Sequence, residues 1–147
     1  MVWVLSNRFG MNRMQGDERS PVVLVVDDHE DTRQMSLLVL QGQGFAPIAA
    51  ANGESGFAYA CERQPDVIVT DLAMPDLDGW ELMQRLSSDP RTKDIPVVML
   101  TACGTEAVRK QAREAGCAAF FFKPCAPDVL ADELRKLIAA RAQSAPA

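Results

Sequence analysis

The chain has 147 residues, enough for one domain with its own core. Apolar residues make up 48% and charged residues 24%, an ordinary globular balance that excludes disorder for the bulk of the chain. Fifteen Lys and Arg oppose 20 Asp and Glu, a formal net charge of −5 that speaks against direct, sequence-independent binding to nucleic acid or an anionic membrane.

Residues 1–20 mix Met, Asn, Arg, Gly and Gln without periodicity and read as a flexible leader. Met11 and Met14 leave the start codon open. The apolar run from Met1 to Leu5 is too short for a signal-peptide core. No stretch approaches the roughly 18 apolar residues of a membrane span. The four cysteines, Cys61, Cys103, Cys117 and Cys125, form no CxxC pair, and with His29 as the one histidine a structural zinc is not expected. A cytoplasmic location with reduced thiols is the expectation.

Residues 21–141 read as one domain in which β-rich runs alternate with helical spacing. The runs are Val22–Val26, Phe45–Ala50, Asp66–Thr70, Ile95–Leu100 and Ala118–Phe122, and most are almost wholly apolar, as strands covered on both faces are. Between them, Gly53, Phe57, Ala60 and Cys61 share one helical face, and so do Gly79, Leu82, Met83 and Leu86. Thr105-Glu106 marks a helix start and Gly116 lies just past that helix's end. This helix, over 105–115, is expected to be weak, because Val108 is its one large apolar residue, joined on the same face by Ala112 and Ala115. Pro127-Asp128 fits a first turn, followed by an apolar face of Leu130, Leu134, Leu137 and Ile138. Residues 142–147 read as a disordered tail. Fivefold strand–helix alternation predicts an α/β fold, a doubly wound, flavodoxin-like parallel sheet of five strands in the order 2-1-3-4-5.

In such sheets ligands bind beyond the carboxyl ends of the strands, where strand order reverses. Asp27-Asp28 ends the first strand, Asp71 follows the third, Thr101 the fourth, and Lys123-Pro124 the fifth. Three carboxylates in one crevice call for a counter-charge. Oxygen ligands suit a hard divalent ion such as Mg²⁺ (or Mn²⁺), which shares its sites with phosphate oxygens. Lys123 suits a phosphoryl group, the Thr101 hydroxyl adds a donor, and an aspartate can become an aspartyl phosphate.

The segments VLVVDDHEDTR, VTDLAMPDLDGWEL, VVMLTA and GCAAFFFKP resemble the four landmark segments of bacterial two-component response-regulator receiver domains, and of their single-domain, chemotaxis-regulator-like type. The spacings agree, 30 residues from Asp71 to Thr101 and 22 from Thr101 to Lys123. The resemblance implies that Asp71 accepts a phosphoryl group from the phosphohistidine of a sensor histidine kinase or a histidine phosphotransfer protein. It implies that Asp28, Asp71 and the Ala73 backbone carbonyl ligate Mg²⁺, and that Asp27 holds a metal-bound water. Lys123 would bond a phosphoryl oxygen, Thr101 would move inward to do the same, and Phe120 would swing in as Thr101 vacates its space. The Lys123–Pro124 bond is expected to be cis. The output would be a switched surface of the fourth helix, fifth strand and fifth helix that controls binding to a downstream protein, in a monomer or weak dimer. The chain would take part in its own phosphorylation without being an enzyme for an external substrate. No output domain is expected in the residues outside 21–141.

Some positions depart from the commonest pattern. Ala73, two after the acceptor, and Cys103, two after Thr101, are poor at positioning an attacking water, so slow self-dephosphorylation is expected. Cys125 and Ala126 stand where an aromatic and an acid are common. Met74 cannot supply an oxygen ligand, which rejects an EF-hand reading of Asp76-Leu77-Asp78-Gly79. His29 reads as an exposed loop residue and the cysteines as small buried apolar residues, Cys103 alone being a candidate for reactivity. Two readings compete: a phosphorylatable switch, and a receiver-fold protein-interaction module independent of phosphorylation. The intact set Asp27, Asp28, Asp71, Thr101 and Lys123 favours the switch. A phosphohydrolase would want a second acid where Ala73 stands.

Overall fold

A computed structural model of the chain describes residues 19–102 and 104–144. The expectations for residues 1–18, for 145–147 and for Cys103 fall outside them. Five strands alternate with five helices: β1 (Val22–Val26), α1 (Glu30–Gly42), β2 (Ala46–Ala50), α2 (Gly53–Arg63), β3 (Val67–Thr70), α3 (Gly79–Ser88), β4 (Val97–Thr101), α4 (Glu106–Glu114), β5 (Ala119–Phe122) and α5 (Pro127–Ser144). The strands form one parallel sheet in the order β2-β1-β3-β4-β5, the arrangement that the alternation predicts.

Strand periodicity divides the core in two. Leu24, Val26, Ile68, Val97 and Met99 face one way and pack under Ala60 of α2, Leu82, Met83 and Leu86 of α3 and Ala112 of α4. Val23, Val25, Val67, Val69 and Val98 face the other way, under Leu40 of α1 and Leu130, Ala131 and Leu134 of α5. Each fully buried aliphatic side chain contributes about 1.5–3 kcal/mol. The edge strand β2 departs from the expectation of two covered faces, since only Ala50 is fully buried and Pro47 sits within it. Proline lacks an N–H for a ladder and is tolerated at a sheet edge.

Polar caps fix the starts of α2, α3 and α4. Asn52 accepts from the Ser55 amide at 2.8 Å, and Thr105 from the Val108 amide at 3.2 Å. Asp78 and Glu81 form a reciprocal capping box at the start of α3. α4 ends as expected: Gly116 takes a φ of +102°, and Cys117 and Gly116 donate back to Ala112 and Arg113.

α4 is thinly anchored. Ala112 is its one buried residue and Val108 is half-buried. Ala115 does not join that face: it is the helix's C-cap and is exposed. α5 runs to Ser144, so residues 142–144, expected in the tail, are helical. Pairing begins later than the apolar runs suggest. Phe45 serves the core rather than β2, and Ile95 closes a turn onto Thr92 before β4 starts.

Candidate functional site: an acidic cleft at the strand ends

Asp27, directly after β1, is held at three points. Its Oδ1 accepts from the His29 amide at 2.9 Å, its Oδ2 from Lys123 Nζ at 3.1 Å, and its backbone carbonyl from Arg33 Nη1 at 2.9 Å. Its side chain is almost wholly shielded from solvent. Asp71 follows β3 and is anchored to β1 by its amide, which donates to the Val26 carbonyl at 3.0 Å. Its Oδ1 accepts from the Ala73 amide and its Oδ2 from Lys123 Nζ, both at 3.2 Å.

The loop after Asp71 is locked from beneath. Leu72, Met74 and Leu77 are buried, and Asp76 takes a positive φ that turns the chain. Gly79 closes the loop by donating its amide to the Leu72 carbonyl at 2.9 Å. A Cβ at Gly79 would lie 2.7 Å from the Asp71 carbonyl oxygen and 2.8 Å from Leu72 Cα. A side chain has no room there, so the start of α3 can sit against the loop after Asp71 only as glycine.

Lys123 closes the group from β5. Its amide donates to the Thr101 carbonyl at 2.9 Å, and the following peptide, Lys123–Pro124, is cis. Burial alone would depress the Lys123 ammonium, but hydrogen bonds and charge from Asp27 and Asp71 outweigh it and hold its pKa above the ordinary value. Thr101 is fully buried at the end of β4. A cleft of about 240 Å³ opens between these groups, lined by His29, Thr32, Asp71, Ala73, Thr101, Ala102 and Lys123.

The donor set fits a hard divalent cation. Asp27, Asp28, His29 and Asp71 each bring one ligand atom within 4.8 Å of the others. Three carboxylates against one ammonium leave a formal excess of two negative charges. Asp28 Oδ1 is buried and accepts no hydrogen bond among the described residues. His29 Nδ1 lies 3.3 Å away without hydrogen-bond alignment. A buried acceptor without a donor costs about 1–3 kcal/mol, more for a charged group, and is a mark of an ion or water position.

Asp27, Asp28, Asp71, Thr101 and Lys123 therefore converge, and Ala73 lines the same cleft. His29 is exposed, as expected, but its ring borders both acids of the first loop, which the sequence did not suggest. Arg33 was also missed; its one signal is a position one helical turn past the acids. Cys61, Cys117 and Cys125 are half-buried rather than buried, and burial pushes each thiol pKa up, away from nucleophile behaviour at neutral pH.

A sequence model of the response regulator receiver domain matches residues 23–135. The chain belongs to that family. It is 36% identical over 126 residues to response regulator Rre1 of Synechocystis, a match covering 85% of this chain and 54% of that protein. It is 35% identical over 116 residues to the phosphate regulon transcriptional regulatory protein PhoB of Pseudomonas aeruginosa, covering 79% of this chain and 51% of that one. The chain thus spans about half the length of these curated relatives. Among solved structures, the chemotaxis protein CheY4 of Vibrio cholerae superposes with a TM-score of 0.75 at 30% identity, covering 80% of this chain and 98% of that one. Receiver domains of two-component signalling generally bind Mg²⁺ at an acidic pocket, and this chain brings an Asp cluster together at its strand ends. No described helix of this receiver domain is long and apolar enough to cross a membrane.

Thr101 pairs with Phe122 and Met99 with Phe120 across the β4–β5 ladder. Thr101, Phe120 and Phe122 lie on the same side of the sheet, by strand alternation with the Met99 core. Phe120 is packed inward, 8% exposed.

Proposed function

We propose that this receiver domain takes a phosphoryl group on Asp71 from the phosphohistidine of a sensor histidine kinase or a histidine phosphotransfer protein, and uses it to change which protein it binds. An Asp71 carboxylate oxygen attacks phosphorus, the P–N bond breaks, and the leaving imidazole takes up a proton from solvent. The observation that carries this reading is the opening of Asp71 onto a cleft that also holds Lys123 and Thr101, with Asp71 itself part of the cluster formed with Asp27 and Asp28.

Each residue has a role in that step. Lys123 already spans Asp27 and Asp71 and is placed to transfer one bond to a phosphoryl oxygen. Asp27, tied by Arg33 and the His29 amide, keeps the first loop fixed while charge arrives. Asp27, Asp28, Asp71 and the Ala73 carbonyl would hold Mg²⁺, which neutralises phosphoryl charge when bound. Thr101 would donate its hydroxyl to the phosphoryl group and move the β4–α4 loop with it, and Phe120 would follow through the ladder. The readout would be the α4–β5–α5 face. No external substrate is turned over. With a net charge of −5, the domain itself would act through protein contact rather than direct nucleic-acid contact.

Phosphate-affinity gel electrophoresis tests this with Mg²⁺ and a small phosphodonor, beside Asp71→Asn. A Mg²⁺-dependent shifted band that the variant lacks supports the reading. No shift with the small donor or with a phosphorylated kinase, on protein shown folded by circular dichroism, would favour the phosphorylation-independent binding module.

A further inference from the structure

α4 docks with little apolar surface, Ala112 buried and Val108 half-buried, and Arg109 adds a polar hold on β5. Its guanidinium carbon stands 4.8 Å from the Phe122 ring centroid and 5.6 Å from that of Phe120. Nη1 donates to the Phe120 carbonyl at 3.4 Å. Nε is shielded from solvent, lies 3.5 Å from Glu106 Oε2 and makes no hydrogen bond among the described residues. A guanidinium gives up hydration for such a position only where something replaces it, and here two ring faces do.

The two rings meet edge-to-face, with centroids 5.3 Å apart. The β4–α4 loop presses on the same pair. A Cβ at Gly104 would overlap the Phe122 ring and reach 3.2 Å from Phe120 Cζ. Gly104 lies three residues after Thr101, and Thr101 pairs with Phe122. A displacement of Thr101 therefore meets the ring pair twice, along the ladder and through the loop. Arg109 is a side chain of α4 that meets both rings and the Phe120 carbonyl.

We propose that Arg109 is the positioning residue that couples the acceptor cleft to α4: its guanidinium, stacked on Phe120 and Phe122, makes α4 follow the β4–α4 loop when Asp71 is phosphorylated. The idea rests on the phosphoacceptor reading above. It assigns Arg109 no part in phosphoryl transfer, because the residue touches none of the cleft groups.

Hydrogen exchange of the full chain tests it, with Mg²⁺ and beryllofluoride as a phosphoryl mimic, on wild type, Arg109→Ala and Arg109→Lys. In wild type the mimic should change exchange across residues 106–114 by about threefold or more, local opening being the process read. In Arg109→Ala the ratio should fall to about one, while Asp71 phosphorylation from a small donor stays within about twofold of wild type. Arg109→Lys keeps the stem and charge, so it guards against a folding defect. It should also lose most of the change, since an ammonium offers no plane to stack on. Retention of the full wild-type change in both variants overturns the coupling role and leaves the phosphoacceptor reading intact. A wild type that neither takes up phosphate nor responds to the mimic overturns both.

Discussion

Lys123 and Asp71 are 52 positions apart in sequence and 3.2 Å apart in space. The same ammonium stands 3.1 Å from Asp27, so one cation holds two strand ends together at the point where phosphoryl chemistry would occur. Replacing Lys123 with Met leaves two shielded carboxylates facing each other. Its side chain is 21% exposed, which softens the penalty, and a loss of about 1–3 kcal/mol is expected in metal-free protein. Thermal melts in chelator should show it, and added Mg²⁺ should recover part of it. The pH dependence has a definite sign. A lysine pKa raised on folding contributes stability that is full below the unfolded value, about 10.4, and is lost as pH rises through the higher folded value. The metal-free wild type should therefore lose this increment only above about pH 10.4, and Lys123→Met should lack that alkaline limb.

Asp28 makes the opposite trade. Its buried Oδ1 finds no hydrogen-bond donor among the described residues and sits among like charges. Asp28→Asn should stabilise the metal-free protein by up to about 1 kcal/mol and weaken Mg²⁺ binding by about tenfold or more. Calorimetric metal titration and chelator melts read the two effects separately. Unchanged metal affinity would remove Asp28 from the ligand set.

Gly79 is a steric prediction. Alanine has the better helix propensity, worth at most about 1 kcal/mol, and less at a first helical position. Against that, its Cβ would sit 2.7 Å from the Asp71 carbonyl. The overlap wins, with a net cost of about 1–3 kcal/mol and a slower Asp71 phosphorylation as the acceptor loop is pushed aside. Urea unfolding and a phosphorylation time course would detect both.

Ala73 bears on lifetime. It borders the cleft, and its methyl can neither orient nor deprotonate a water. The phosphoryl group on Asp71 should persist for minutes or longer in purified protein. Ala73→Asn should shorten that lifetime by about tenfold, since a placed polar group contributes at least that much to such a step. A wild-type half-life of seconds without a phosphatase would contradict this.

The sheet order and the convergence of Asp27, Asp28, Asp71, Thr101 and Lys123 were legible because each lies at a strand's carboxyl end, where apolar runs give way to Asp, Thr or Lys. What stayed hidden works through atoms that leave no spacing signal. Arg33 bonds a backbone carbonyl, and Arg109 stacks on ring faces and bonds another carbonyl. Gly104 matters through the space that it leaves empty. Ala115 shared the helical spacing of Ala112, yet the chain leaves the helix at that residue and carries it to the surface. β2 read as a covered strand because its residues are apolar, and composition does not tell an edge from a centre. The thin anchoring of α4, by contrast, was visible in its shortage of large apolar residues.

The central claim is that Asp71 is the phosphoacceptor. It is tested most directly by incubating the protein with Mg²⁺ and a small phosphodonor, trapping with borohydride, which reduces an acyl phosphate to an alcohol, and mapping the peptides by mass spectrometry. The account predicts the reduced residue at position 71, dependent on Mg²⁺. Trapping at another carboxylate, or at none in protein that binds Mg²⁺ and is folded, would contradict it.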